Sequence, residues 1–451
     1  MSLPFQPRLF DDWDEPDDRP DDLGRANLGT FQDSLNAPIH SWFVYPAGFS
    51  YKAVEQAFNF YHITPGMRVY DPFAGTGTTN VVASQRGIDS FGIEAHPFVY
   101  FIARTKTFWD FDFVQLRSDI EQLIKTIRDT IRQQADDSSL EAIYPELIHK
   151  CYTREKLLRL HVCRTAIEQL SPTPFQDFAK VGLTHLLRAA ADVTTGWPYI
   201  APQKAKKASP NHADITSLLR DQLFRMLTDL QSVRAVTAQT GRAVLINGDA
   251  RKRQEAIESQ SVNLAFTSPP YLNNYDYADR TRLEMYFWGR AKTWRDITHQ
   301  VRDRLMMSAT TQINRSDYDV AKLLSENLVN NAPLVSAELQ PKIQALSKLR
   351  LQKGGKKSYD ILVAGYFNDM LRVLQETYRI LEPGASFVMI LGDSAPYGVY
   401  IPTHTYLGEI AKTVGFADYK VEHLRKRGDK WKDNPQRHKV PLQESILTLR
   451  K

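Results

Sequence analysis

Along residues 50–94 the spacing of apolar positions changes period three times. Ser50–Tyr61 places Val54, Ala57, Phe58 and Tyr61 on one helical face, and Met67-Arg68-Val69-Tyr70 is a short strand. A helix over Asn80–Arg86 ends at Gly87, and Ser90-Phe91-Gly92-Ile93-Glu94 is a second strand, closing a β-α-β unit. The same rhythm returns at Val244–Asp249 and Val262–Phe266, a third and a fourth strand. Ile361–Leu381 then forms a long amphipathic helix stopped by Glu382-Pro383-Gly384, followed by a fifth strand at Ala385–Leu391, a helix at His404–Thr413 and an apolar strand at Ile446–Leu449. Strands alternating with helices predict an α/β fold built on a doubly wound sheet.

Two stretches break this alternation. Residues 105–240 carry four helical patterns, Ile120–Ile131, Glu155–Gln169, Phe175–Ala191 and Ile215–Val236, with a basic link Pro202–Pro210. Residues 275–358 form a second helical insertion, which begins with a helix over Tyr275–Arg290 and ends in Lys353-Gly354-Gly355-Lys356-Lys357-Ser358. The α/β core therefore comes in three pieces, 25–104, 241–274 and 359–451. Residues 1–24, rich in Asp and Pro, read as a disordered acidic tail.

Charge and composition narrow the partners. The 451 residues carry a formal net charge of +5, yet the tail holds eight acids against Arg8 and Arg19. The body is thus strongly basic, which suits a polyanion. The absence of a long apolar run or an apolar leader argues against a membrane location. Cys151 and Cys163 are too few for a disulfide framework or a cysteine metal site, so a reducing cytoplasm is expected.

Candidate chemistry gathers at the ends of the strands. Asp71-Pro72-Phe73-Ala74-Gly75-Thr76-Gly77-Thr78 lies between the first strand and its helix, where glycines admit a ligand to the backbone and the helix supplies free amides. Glu94 ends the second strand, the usual place for an acceptor of two ribose hydroxyls. Asp249 ends the third and could accept from an adenine amine. Any one of these residues could serve only a turn, but together they describe a nucleoside site. The loop lacks the Lys-Ser or Lys-Thr pair of a phosphate-binding loop and the third glycine of a dinucleotide site. Asp71 at its mouth would repel phosphate and favour an amino-bearing ligand. That combination points to S-adenosylmethionine. The fourth strand opens into Thr267-Ser268-Pro269-Pro270-Tyr271, which cannot continue a ladder because proline has no backbone donor.

DPFAGTGTT, GIEAHP, NGDA and TSPPY, in that order, resemble the S-adenosylmethionine-dependent DNA amino-methyltransferases, which modify the exocyclic amine of cytosine or adenine. The likeness covers roughly residues 40–104, 243–277 and 361–450. It implies a Rossmann-like sheet with a C-terminal antiparallel hairpin, a cofactor-binding half at 25–104, a catalytic half at 241–274 and double-stranded DNA as substrate. It further implies that the segment around Tyr45 helps to enclose the cofactor's methionine. Ser268 Oγ and the Pro269 carbonyl would accept from the target amine, Pro270 would stiffen their loop, and Tyr271 would stack on a base turned out of the duplex. Both insertions lie outside the likeness, and either 105–240 or 275–358 could read the DNA, with Trp197-Pro198-Tyr199 as an intercalating element or a packing contact.

Serine at the head of that loop is typical of cytosine N4 methylation in this family, whereas aspartate or asparagine is typical of adenine N6. Ring-carbon methylation would need a cysteine nucleophile, and neither cysteine follows a strand-end proline. The expected activity is therefore N4-cytosine methylation, with adenine N6 as the alternative. RNA or protein methylation and a non-catalytic DNA-binding relative stand further off. No metal is required, and a cognate restriction endonuclease and a monomer or homodimer complete the expectation.

Overall fold

The computed structural model describes residues 28–45, 48–133, 139–196, 200–237, 239–427 and 440–451. The acidic tail 1–24 and the Trp197–Tyr199 element lie outside the described residues. Among the described residues nine strands form: β1 (Arg68–Asp71), β2 (Asp89–Ile93), β3 (Val193–Thr194), β4 (Ala201–Ala205), β5 (Ala243–Ile246), β6 (Val262–Thr267), β7 (Leu381–Gly392), β8 (Asp418–Arg427) and β9 (Leu442–Arg450). Seven of them make one sheet in the order β5-β2-β1-β6-β7-β9-β8, and β3 pairs with β4 as a separate ribbon. The ladder is parallel from β5 to β7, while β9 runs antiparallel between β7 and β8. This is the doubly wound α/β sheet with a C-terminal antiparallel hairpin.

Helices cover both faces. Tyr51–Phe60 is capped by the Ser50 hydroxyl, which accepts from Lys52 N at 3.2 Å, and packs with Thr78–Gln85 over Val69, Leu264 and Phe266. On the opposite face Tyr359–Ile380 covers Tyr70, Ala265 and Phe387. A third apolar cluster belongs to the helices of 105–240 and is joined by Trp42, Phe43 and Tyr45. The second insertion divides between these cores: Ala278–Val301 packs into the helical cluster, whereas Met306–Leu346 packs against Tyr359–Ile380.

Most helical patterns form within a residue or two of their predicted ends, and Ile215–Val236 forms as read. Tyr275–Arg290 instead breaks into Tyr277–Arg280 and Arg282–Phe287, and β7 begins at Leu381 with a register shift opposite β6. Gly384 sits in that irregular stretch with φ +81°. Helix Pro97–Lys106 was not signalled by periodicity, because it is buried on several sides; His96 caps it, its Nδ1 accepting from Phe98 N at 3.2 Å. Among the described residues, no helix is long and apolar enough to cross a membrane.

Candidate active site

The carboxyl ends of β1, β2, β5 and β6 open onto one cleft, the edge at which doubly wound sheets take ligands. Pro72, Phe73, Ala74, Gly75, Thr76 and Thr78 line it from the first loop, with Glu94 and Asp249 from the next two strand ends. Ser268 and Pro270 border it from β6, and Tyr45 closes it from the preceding segment. Gly75 adopts φ +53° and Gly77 φ +82° at the start of helix Thr78–Gln85, conformations that side chains with a Cβ rarely take.

Two loop residues stand behind the cleft rather than in it. Gly77 lies back against Ala103, and Asp71 is fully buried. Asp71 Oδ1 accepts from Phe73 N at 3.0 Å and from Thr267 Oγ1 at 2.6 Å, and Oδ2 accepts from Thr79 Oγ1 at 2.8 Å. Its carboxyl is pushed up to about 6 by burial, against the pull of those donors. The expectation that Asp71 meets an amino-bearing ligand is thus corrected. Asp71 instead ties the first loop to the Thr267–Tyr271 loop through Thr267, so both depend on one carboxylate.

Glu94 is partly buried at the end of β2, where His96 N donates to its Oε1 at 2.7 Å. Withdrawal from water raises its carboxyl to about 8. Asp249 is gripped by Arg251, with Nε on Oδ1 at 2.8 Å and Nη2 on Oδ2 at 3.0 Å, and this pairing holds its carboxyl below the usual range despite burial. The same guanidinium donates to Asp369 Oδ2 at 2.9 Å and to the Arg304 carbonyl at 3.1 Å. Asp369 Oδ2 also accepts from Met307 N at 2.9 Å.

This chain of bonds fixes a wall that sequence reasoning missed. Arg304, Leu305, Met306 and Ser308, from the second insertion, line the cleft. No motif announces them. The signal lies in the coupling of Arg251 to Asp369, which only the fold brings together. Tyr277 also lines the cleft, while neighbouring Asp276 caps its helix by accepting from Ala278 N at 3.1 Å.

In the loop after β6, Ser268 Oγ donates to the Ile390 carbonyl on β7 at 2.9 Å. The hydroxyl hydrogen is thereby committed, leaving oxygen lone pairs as acceptors. Pro269 lies outside the cleft lining. Tyr271 departs from expectation: it is only 8% exposed, and its hydroxyl donates to Glu444 Oε1 at 2.9 Å. The Arg427 guanidinium lies over its ring, 5.0 Å from the centroid, so the stacking platform is occupied by a side chain.

The helices after this loop are tied to the first insertion through charge. Glu284, with no exposure, accepts from Arg188 Nε at 2.6 Å and faces Arg280, whose Nη2 donates to the Val44 carbonyl at 2.9 Å, next to Tyr45. Cys151 and Cys163 are free and buried.

A seven-stranded sheet with these loops at its carboxyl edge is the Rossmann-like methyltransferase fold. No family model matches the chain. Over most of its length, however, it is similar to Type II methyltransferases. It is 24% identical to M.BsoBI of Geobacillus stearothermophilus, over 94% of this chain and 88% of that protein. It is 25% identical to M.AvaI of Nostoc sp., over 87% and 82%, and 20% identical to M.MvaI of Kocuria varians, over 88% and 85%. These likenesses support a DNA methyltransferase, as the four motifs led one to expect, and leave the target amine open.

Proposed function

We propose that the protein methylates the exocyclic N4 amine of a cytosine turned out of double-stranded DNA, with S-adenosylmethionine as donor. The cleft fits that cofactor. Glu94 offers two acceptor oxygens at the ribose position, and Phe73, Ile93 and Ala250 offer apolar surface to a purine. The Arg251 guanidinium that could attract phosphate is already paired with Asp249 and Asp369. When bound, the cofactor supplies an electrophilic methyl on a sulfonium, so one N–C bond forms as one S–C bond breaks.

The protein's part is positioning. Ser268 Oγ, its hydrogen already donated to Ile390, accepts from an amine hydrogen and favours a more tetrahedral nitrogen with its lone pair free. The Pro269 carbonyl, set back from the cleft lining, accepts the second hydrogen once the amine is seated against Ser268, and Pro270 keeps the loop from sliding into the ladder. The alkylated amine is acidic and releases its proton to water. The Ser268–Ile390 bond is the single observation that carries this reading, because it makes the serine an acceptor at the mouth of the cleft. The likeness to Type II methyltransferases supports a place beside a restriction endonuclease.

The test is nucleoside mass spectrometry on plasmid DNA from a host that lacks N4-methylcytosine and expresses this chain. N4-methylcytosine is the expected product. N6-methyladenine would overturn the base assignment, and unmodified DNA from a folded, cofactor-binding protein would overturn the substrate.

A further inference from the structure

Behind the catalytic loop the antiparallel hairpin contributes a second polar cluster. Glu444 on β9 accepts from the Tyr271 hydroxyl through one carboxylate oxygen and from Arg425 Nε through the other, at 2.9 and 2.7 Å. Arg427, at the end of β8, lies over the Tyr271 ring, and its Nη1 donates to the Asp393 carbonyl at 3.1 Å. Gly392 leaves room for both. A Cβ at that position would stand 2.0 Å from Arg427 Nη1 and 3.1 Å from Tyr271 Cδ2. The Arg427 charge also reaches Tyr277, which lines the cleft.

The two arginines differ in one respect. Arg425 is neutralised by Glu444, whereas Arg427 has, among the described residues, one backbone carbonyl and one aromatic face. Towards the described residues, most of its donors are therefore uncommitted beside the loop that receives the target.

Resting on the cytosine reading above, we propose that Arg427 pairs with the extruded cytosine in place of guanine and so selects the base. On the edge that carries its amine, cytosine presents two neighbouring acceptors, N3 and O2. In the duplex both accept from guanine. Leaving such groups unpaired in a closing site forfeits their hydrogen bonds to water without replacement. The arginine fork carries parallel N–H donors at the spacing such a pair of acceptors requires. Ser268 then takes the amine, Tyr271 the ring face, and Arg427 the adjoining edge. On entry of the base, the guanidinium passes from the face of Tyr271 to the edge of the cytosine. Adenine presents only N1 beside its amine, with a C–H next to it, so one donor of the fork would remain unpaired.

The experiment uses the full chain and the target sequence mapped from the methylated plasmid. Single-turnover rates are compared on duplexes with cytosine or 3-deazacytosine at the target; the analogue keeps the amine but replaces N3 with a C–H. Wild type should lose on the order of 10-fold or more on the analogue, as expected for one unmade hydrogen bond to a charged group. Arg427→Ala should lose a similar factor on cytosine and little more on the analogue, a non-additive cycle. Arg427→Lys, which keeps the charge but not the fork, should fall between. Unchanged cofactor affinity by calorimetry controls for folding. Additive losses, or an Arg427→Ala enzyme as fast as wild type, would overturn the role of Arg427. A plasmid carrying N6-methyladenine would instead overturn the base reading on which it rests, and the mass spectrum separates the two failures.

Discussion

The Ser268 hydroxyl has one hydrogen, and the Ile390 carbonyl holds it. Ser268→Ala should therefore lower the single-turnover rate on the order of 100-fold, as for loss of one preorganised polar group, while cofactor affinity stays within about twofold. Calorimetry beside rapid quench tests this; equal loss in both would remove the assignment. Glu94 carries a pH signature. Its carboxyl sits at about 8, and the ionised form is the better acceptor of ribose hydroxyls. Cofactor affinity should rise as pH climbs through 8 and then level, and Glu94→Gln should bind weakly with no such slope. A carboxyl raised on folding costs stability from its ordinary range near 4.5 up to about 8. The same variant, free of ligand, should hence be more stable than wild type above pH 8, by on the order of 1–3 kcal/mol in thermal melts. At this scale the motifs were legible because ligand-type residues fall at successive strand ends. The direction of Asp71 was not, because it depends on Thr267, 196 positions away.

Elements were legible where burial is one-sided. Ile215–Val236 shows its apolar face in the spacing, and the parallel strands show theirs as short apolar runs. β8 shows neither: as an edge strand it alternates Lys420, His423, Arg425 and Arg427 with few buried positions, and such strands carry charge rather than an apolar pattern. The wall at Arg304–Ser308 is the second case, held by Asp369 from helix Tyr359–Ile380 rather than by local sequence. Asp369→Ala should free both the Met307 amide and the Arg251 guanidinium, and so loosen this wall. The expected result is a cofactor dissociation constant raised on the order of 10-fold, the cost of bonds to a charged group. An unaltered constant would show the wall to be held by packing alone.

Across the whole molecule, the helical insertion shares one apolar cluster with Trp42, Val81, Phe98 and Ile102 of the α/β core, and Trp42 donates its indole N–H to Asp229 of the insertion at 2.8 Å. Lys106 is buried at this junction, with the His40 carbonyl as acceptor at 3.2 Å, and burial lowers its ammonium to about 7. A lysine depressed on folding costs stability in full below pH 7, and the cost fades as pH rises towards 10.5. Lys106→Met should accordingly stabilise the protein at pH 6 by on the order of 1–3 kcal/mol and hardly at all at pH 10, as read from thermal melts. No difference between the two pH values would contradict the burial of charge.

The seam of the sheet runs between β6 and β7. To one side lie the cleft and Ser268; to the other lie Ile390, Glu444 and Arg427, and the exposed Gly354 and half-buried Gly355 separate them in the chain. A chain opened between those glycines would yield two pieces, each with part of the sheet and neither with a complete site. Fused to two other proteins, the pieces would work only where those partners meet. Each encounter would then be written into nearby DNA as a lasting covalent record.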